Sequence, residues 1–223
     1  MKINLDERLS ACAKFVRENG VLADIGTDHA YLPAALILNG KIKSALGCDI
    51  NQQPLESANQ TVIESGVSES VCLRLCDGLC GVKADEFTDL VIAGMGGELI
   101  IKILSDCPYI KSDKYNLILQ PMSKAYDLRK WLCENGFLII DEMAAVANNK
   151  IYTVINARFN DEKCEKDESF YHFGKLLLKN DEKSLRYVEK QKNSLLKRAN
   201  GMLLSDSEKT QAKEILKMID DLK

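Results

Sequence analysis

Between residues 21 and 134, five short apolar runs end on a glycine, an acid or a Gln-Pro pair, and four of them give way to a helical pattern. The runs are Val21–Ile25, Ala45–Asp49, Val71–Leu75, Leu90–Ala93 and Leu117–Leu119. Helical stretches over 29–39 and 52–65 carry proline in the first turn (Pro33, Pro54) and glycine just past the end (Gly40, Gly66), the usual asymmetry of helix ends. Further helices are expected over 98–104 and 124–134, and an amphipathic one over 6–18 precedes the first strand. VLADI, DLVIAG and NLILQ are apolar at nearly every position, so both faces of those strands are covered. That calls for a mostly parallel sheet between two helical layers. Phe137–Ile140 and Ile151–Ala157, with Asn148-Asn149 between them and no helix, predict an antiparallel edge.

After about residue 160 the texture changes. Residues 1–160 hold 16 basic and 20 acidic side chains, and the remaining 63 residues hold 14 and 13. The chain is therefore expected to divide into an α/β domain over 1–160 and a helical hairpin over 161–223. Phe170–Arg198 reads as one helix, residues 206–222 as a second, and Asn200-Gly201 as the turn. Leu177, Leu185, Val188, Leu195, Leu196 and Ala199 are expected to face inward. Lys175, Lys179, Lys183, Arg186 and Lys190 recur every three or four residues and predict one basic stripe, a surface suited to RNA phosphates. No apolar run reaches the ~20 residues of a membrane span, and the N-terminus has no signal-peptide pattern. Eight cysteines without a secretory signal suggest reduced thiols in a cytoplasm. Cys72, Cys76 and Cys80 lack a CxxC partner, so no metal is expected.

In a sheet of this kind, ligands bind beyond the C-terminal strand ends. Asp24-Ile25-Gly26-Thr27-Asp28 closes the first strand, Asp49-Ile50 the second, Asp77-Gly78 the third, Ala93-Gly94-Met95-Gly96 the fourth and Gln120-Pro121 the fifth. Asp49, 23 residues after Gly26, stands where an acid can accept both ribose hydroxyls of an adenosine. The first loop lacks GxGxxG and carries Asp28 where a phosphate would approach. A cationic, phosphate-free adenosine cofactor such as S-adenosylmethionine fits better than a dinucleotide. Asp28 and His29 also suit capping of the following helix.

VLADIGTDHAYLP (21–33), CDGL (76–79), LVIAGMGGELI (90–100) and LILQPM (117–122) together resemble the bacterial tRNA (adenine(22)-N1)-methyltransferase family over nearly the whole chain. Met122 stands where some members have Asn. The resemblance implies a Rossmann-like class I methyltransferase sheet with a C-terminal coiled-coil hairpin. It also implies methyl transfer from S-adenosylmethionine, leaving S-adenosylhomocysteine, to adenine N1 in tRNA. On it, Asp28 and His29 become the expected catalytic pair. Asp24, Gly26, Thr27, Asp49, Ile50, Asp77, Gly78, Ala93, Gly94, Met95 and Gly96 become the cofactor contacts, with Tyr31 and the basic stripe on the substrate. No membrane or obligate protein partner is evident. Other readings are a methyltransferase for another RNA site or a small molecule, and a non-catalytic RNA-binding protein.

Overall fold

A computed structural model describes residues 3–222. Seven strands form one sheet in the order β3-β2-β1-β4-β5-β7-β6. These are β1 (Val21–Ile25), β2 (Ser44–Asp49), β3 (Val71–Leu75), β4 (Asp89–Gly96), β5 (Asn116–Ser123), β6 (Phe137–Ala147) and β7 (Lys150–Phe159). The first five are parallel, and β7 runs antiparallel to both β5 and β6. Asn148 and Asn149, at φ 48° and 60°, make the tight turn of the β6–β7 hairpin.

Strand alternation sorts the core into two layers. Leu22, Ala45, Val91 and Ile118 face α1 (Glu7–Phe15) and α2 (Tyr31–Leu38). Ala23, Leu46, Ile92 and Leu117 face the other way, toward α4 (Gly97–Ser105) and α5 (Ala125–Glu134). The third helix, α3 (Gln52–Glu64), packs Ala58 and Val62 with Ala34 and Val71.

The last four strands run further than expected: β6 reaches Ala147 rather than Ile140, and β7 reaches Phe159 rather than Ala157. Gly94-Met95-Gly96 continues β4, and Gln120 to Ser123 continues β5, with Met95 opposite Pro121 and register shifts on either side of Met95. Glycine and proline suggested loops; a bulge lets the pairing persist through them.

The C-terminal part departs more. Phe170–Arg198 is not one helix: α6 (Glu168–Phe173) gives way to a 3-10 segment over Gly174–Leu178, and α7 begins only at Glu182. Asp181 caps α7 by accepting from Ser184 N at 3.1 Å. The helix α7 (Glu182–Met202) passes straight through Asn200-Gly201, and α8 (Lys209–Asp220) returns along it. Leu185 is exposed, whereas Ser184 and Tyr187 are buried. The basic stripe is broken in consequence. Lys175 and Lys179 lie outside α7, and all five side chains turn toward the rest of the chain. Lys175 Nζ donates to Ile140 O (2.8 Å) and Lys179 pairs with Asp141 (2.8 Å). Lys183 pairs with Glu7 (2.9 Å), Arg186 reaches Asn149 O (3.4 Å) and Lys190 donates to Ile151 O (2.9 Å). Four of these cations tie the C-terminal part to the β6–β7 hairpin and Lys183 ties it to α1, while Lys183, Arg186 and Lys190 remain exposed.

The centre of that attachment is Arg129, fully buried in α5. Its Nε donates to Glu142 Oε1 on β6 at 2.7 Å, Nη1 to the Tyr171 and His172 carbonyls (3.1 and 3.2 Å) and Nη2 to the Tyr187 hydroxyl (3.2 Å). Glu142 Oε2 accepts from Lys175 N (2.8 Å). Gly174, at φ 61°, sits over this pair, and a Cβ there would collide with the Glu142 carboxylate. An unpaired buried charge is costly, so Arg129→Met is expected to lose about 3–5 kcal/mol in urea unfolding. A loss below about 1 kcal/mol would remove the pair from this role.

Candidate active site

The chain order reverses between β1 and β4, the two strands that leave in opposite directions along the sheet, and this is where an open α/β sheet forms its crevice. A cavity of about 580 Å³ opens there. The first loop supplies Asp24, Gly26, Thr27, Asp28, His29 and Tyr31; β2 gives Asp49, and β4 gives Ala93, Gly94 and Met95. Thus most of the expected cofactor residues converge, together with the expected catalytic pair and Tyr31. Ile50 and Gly96 flank the cavity without lining it. Asp77 and Gly78 lie beside a separate small depression shared with Lys102 and Asp106.

The first loop is held in unusual backbone geometry. Gly26 has φ 75°, and a Cβ there would run into the Met95 methyl. Asp28 and Ala30 also have positive φ (49° and 52°), conformations that cost non-glycine residues free energy and tend to mark sites. Capping does not explain Asp28: Ala30 is the residue at the start of α2, and no side chain bonds its amides. Asp28 is instead an exposed carboxylate, 3.7 Å from His29 Nε2, and the His29 ring stacks on Tyr31 at 5.1 Å.

Two amides of the first loop are already taken. Gly26 N and Thr27 N donate to Cys48 O at 2.8 and 2.9 Å. The side chains add negative charge: Asp6, Asp24, Asp28 and Asp49 line the cavity against Arg8 and His29. Arg8 is paired with Asp6 at 2.7 Å. Among the described residues neither Asp24 nor Asp49 has a cationic partner. Asp24 is buried and accepts from Thr27 Oγ1 at 2.8 Å; Asp49 accepts from Asn51 N at 2.8 Å. Burial, with a smaller contribution from Asp49, pushes the Asp24 carboxyl up to about 6. By contrast Asp89, at the opposite edge, is satisfied by Arg17 and Asn116. Asp24 and Asp49 without cationic partners, and the exposed Asp28 carboxylate at the loop, suit a cation and repel a phosphate.

Arg8 and Gln120 form a wall that the sequence did not single out as ligand-binding. Gln120 is fully buried at the end of β5; its Oε1 accepts from Gly94 N (3.0 Å) and Arg8 Nη1 (3.4 Å). Met122 Sδ takes a second contact from Arg8 Nη1 at 3.4 Å. Arg8 lies on α1, outside any strand end, so only the folded chain brings it here.

This arrangement defines a nucleoside-binding α/β enzyme of the methyltransferase class, and comparison with known proteins agrees. Residues 5–155 match the family model described as a methyltransferase domain. The tRNA (adenine(22)-N(1))-methyltransferase of Bacillus subtilis is 37% identical over 74% of this chain and 70% of its own. The solved B. subtilis m1A22 tRNA methyltransferase TrmK superposes with a TM-score of 0.86 at 29% identity, covering 99% of this chain and 98% of that one. M. capricolum TrmK in complex with S-adenosyl-homocysteine gives 0.81 at 30% identity, covering 98% and 99%. The chain belongs to the tRNA (adenine(22)-N(1))-methyltransferase family.

The raised Asp24 carboxyl makes ligand-free stability pH-dependent. Between about pH 4 and 6 the folded chain holds a proton there that the unfolded chain has lost. Asp24 therefore lowers stability as pH rises across that window, by on the order of 3 kcal/mol in total. Urea unfolding of wild type and Asp24→Asn is expected to show the variant gaining on wild type from pH 4 to 6 and the gap levelling above. A constant gap would contradict the assignment.

Proposed function

We propose that this chain transfers a methyl group from S-adenosylmethionine to N1 of adenine 22 in tRNA. The observation that carries the reading is the acid-lined cavity at the β1–β4 crevice, where Asp24 and Asp49 have no cationic partner among the described residues, in a chain of this family. The residues present fit the cofactor. Asp24 offers a buried carboxylate to a cationic group, and Asp49 at the end of β2 suits ribose hydroxyls. Gly26, Thr27, Ala93, Gly94 and Met95 form the surrounding backbone, with Ile50, Gly96, Asp77 and Gly78 at the margins. When bound, S-adenosylmethionine supplies a methyl carbon activated by its sulfonium.

Adenine N1 carries a free lone pair near neutral pH, so the attack needs no base, and much of the acceleration comes from holding the ring in line. Charge develops on the base as the bond forms. The Asp28 carboxylate, at the cavity and free of any strong cation, stabilises that charge or accepts a proton from the exocyclic amine. The stacked His29 and Tyr31 rings give the base a flat surface to lie against. The adenine must leave its stack to reach them. Residues 161–223 form the unit that meets the body of the tRNA. Lys183, Arg186 and Lys190 stay exposed although each bonds the rest of the chain, and with the other cations of that unit they supply phosphate contacts.

Incubation with labelled S-adenosylmethionine and total tRNA, followed by nucleoside mapping, is expected to give 1-methyladenosine at position 22. Label in another nucleoside, or none, contradicts the reading. Asp28→Ala is expected to lower kcat by about 10²–10⁴ while cofactor affinity holds within about twofold; unchanged turnover would take Asp28 out of the chemistry.

A further inference from the structure

The acid-lined cavity is not the largest among the described residues. A cleft of about 720 Å³ lies between the C-terminal end of β5, the start of α5, the middle of β7 and the helices α7 and α8. Its volume is in the range of a small-molecule site. The two cavities meet at one wall. Met122 lines the cleft, and Arg8, which contacts its sulfur at 3.4 Å, lines the acid-rich cavity.

Three observations on the cleft point to one kind of ligand. Its polar floor is incomplete: Thr153, 1% exposed on β7, has a buried hydroxyl with no hydrogen-bond partner among the described residues. Burial without a partner costs a hydroxyl on the order of 1–3 kcal/mol. Its lining is partly aromatic, with the Tyr126 and His172 rings 4.5 Å apart and tilted by 39°, and Tyr152 under the Lys190 ammonium. The remaining boundary attracts an anion. Arg198 is exposed at the rim with no ion pair or hydrogen bond among the described residues, and no side chain caps the ten-residue helix α5, which starts in the cleft. The acids present are mostly engaged: Glu168 accepts from the Tyr126 hydroxyl at 2.9 Å, and Asp127 lies 3.8 Å from Lys124. Glu214 is the acid facing the cleft from α8.

Aromatic rings, an unmatched hydroxyl and a free guanidinium are the complements of a base, its polar edge and a phosphate. We propose that this cleft receives an unstacked nucleotide of the RNA substrate other than the adenine that is methylated. The two nucleotides would sit on either side of the Arg8–Gln120–Met122 wall. This rests on the tRNA methyltransferase reading and adds a second point at which the enzyme grips a distorted RNA. It also gives the helical hairpin a specific role, because Arg198 and Gln191 on α7 and Gln211 on α8 close the cleft that the sheet leaves open.

Steady-state methylation of tRNA tests it with two variants that leave the acid-lined cavity untouched. Arg198→Glu is expected to raise KM for tRNA about tenfold, and Thr153→Val about threefold. Cofactor affinity should hold within about twofold and melting temperature within a few degrees. Benzoylphenylalanine in place of Gln211 is expected to crosslink to tRNA at one nucleotide distinct from the methylated adenine. If wild type methylates tRNA but both variants keep its KM, or the crosslink reaches no RNA or only the target adenine, the cleft is not a nucleotide site. If wild type does not methylate tRNA, the functional reading falls and this proposal with it.

Discussion

The Arg129–Glu142 pair is the constraint on which the shape of the molecule depends. Both side chains are fully buried, so each would be expensive alone. The pair joins three pieces that otherwise touch through apolar contact: α5 on one face of the sheet, the β6 edge strand, and the Tyr187 turn of α7. A buried ion pair adds little net stability compared with a well-packed apolar substitute. What it adds here is position, because five guanidinium donors in a fixed plane accept only one placement of the surrounding carbonyls, carboxylate and hydroxyl. Ile151, Phe173, Leu176, Val188 and Leu195 then pack around it. The helical hairpin is set against the β6–β7 edge in one orientation, and the cleft beside α5 exists because of it.

Much of the sheet could be read from the sequence because its signals are local. Apolar runs, early prolines and closing glycines placed every helix of the α/β part and the core of every strand. The errors arose where distant residues decide. Gly94 and Pro121 read as loop signals, but the neighbouring strand holds them in a bulged ladder. Gly174 looked tolerable inside a helix, yet the backbone turns there because Glu142, 32 residues away, fills the space of a side chain. The five basic residues had helical spacing, but Asp181 starts a new helix in their midst, and the β6–β7 hairpin presents carbonyls and carboxylates to them.

The site shows the same division. Asp24, Gly26, Asp28 and Asp49 were legible because strand ends and acid spacing are local. Arg8 was not, since it comes from a helix ahead of the sheet, and Gln120 was placed at a strand end but given no contact. The overall charge of −3 also proves to be a poor guide. It averages over a cavity rich in acids and a helical unit rich in cations, six of which bond within the chain.

The Asp24 and Asp49 carboxylates, without cationic partners, select a cationic, phosphate-free adenosine cofactor. Isothermal titration of the protein with S-adenosylmethionine and, separately, with NAD measures that directly. The account predicts saturable binding of S-adenosylmethionine, weakened at least about tenfold by Asp49→Asn, and no measurable heat with the dinucleotide. Comparable binding of both would contradict it.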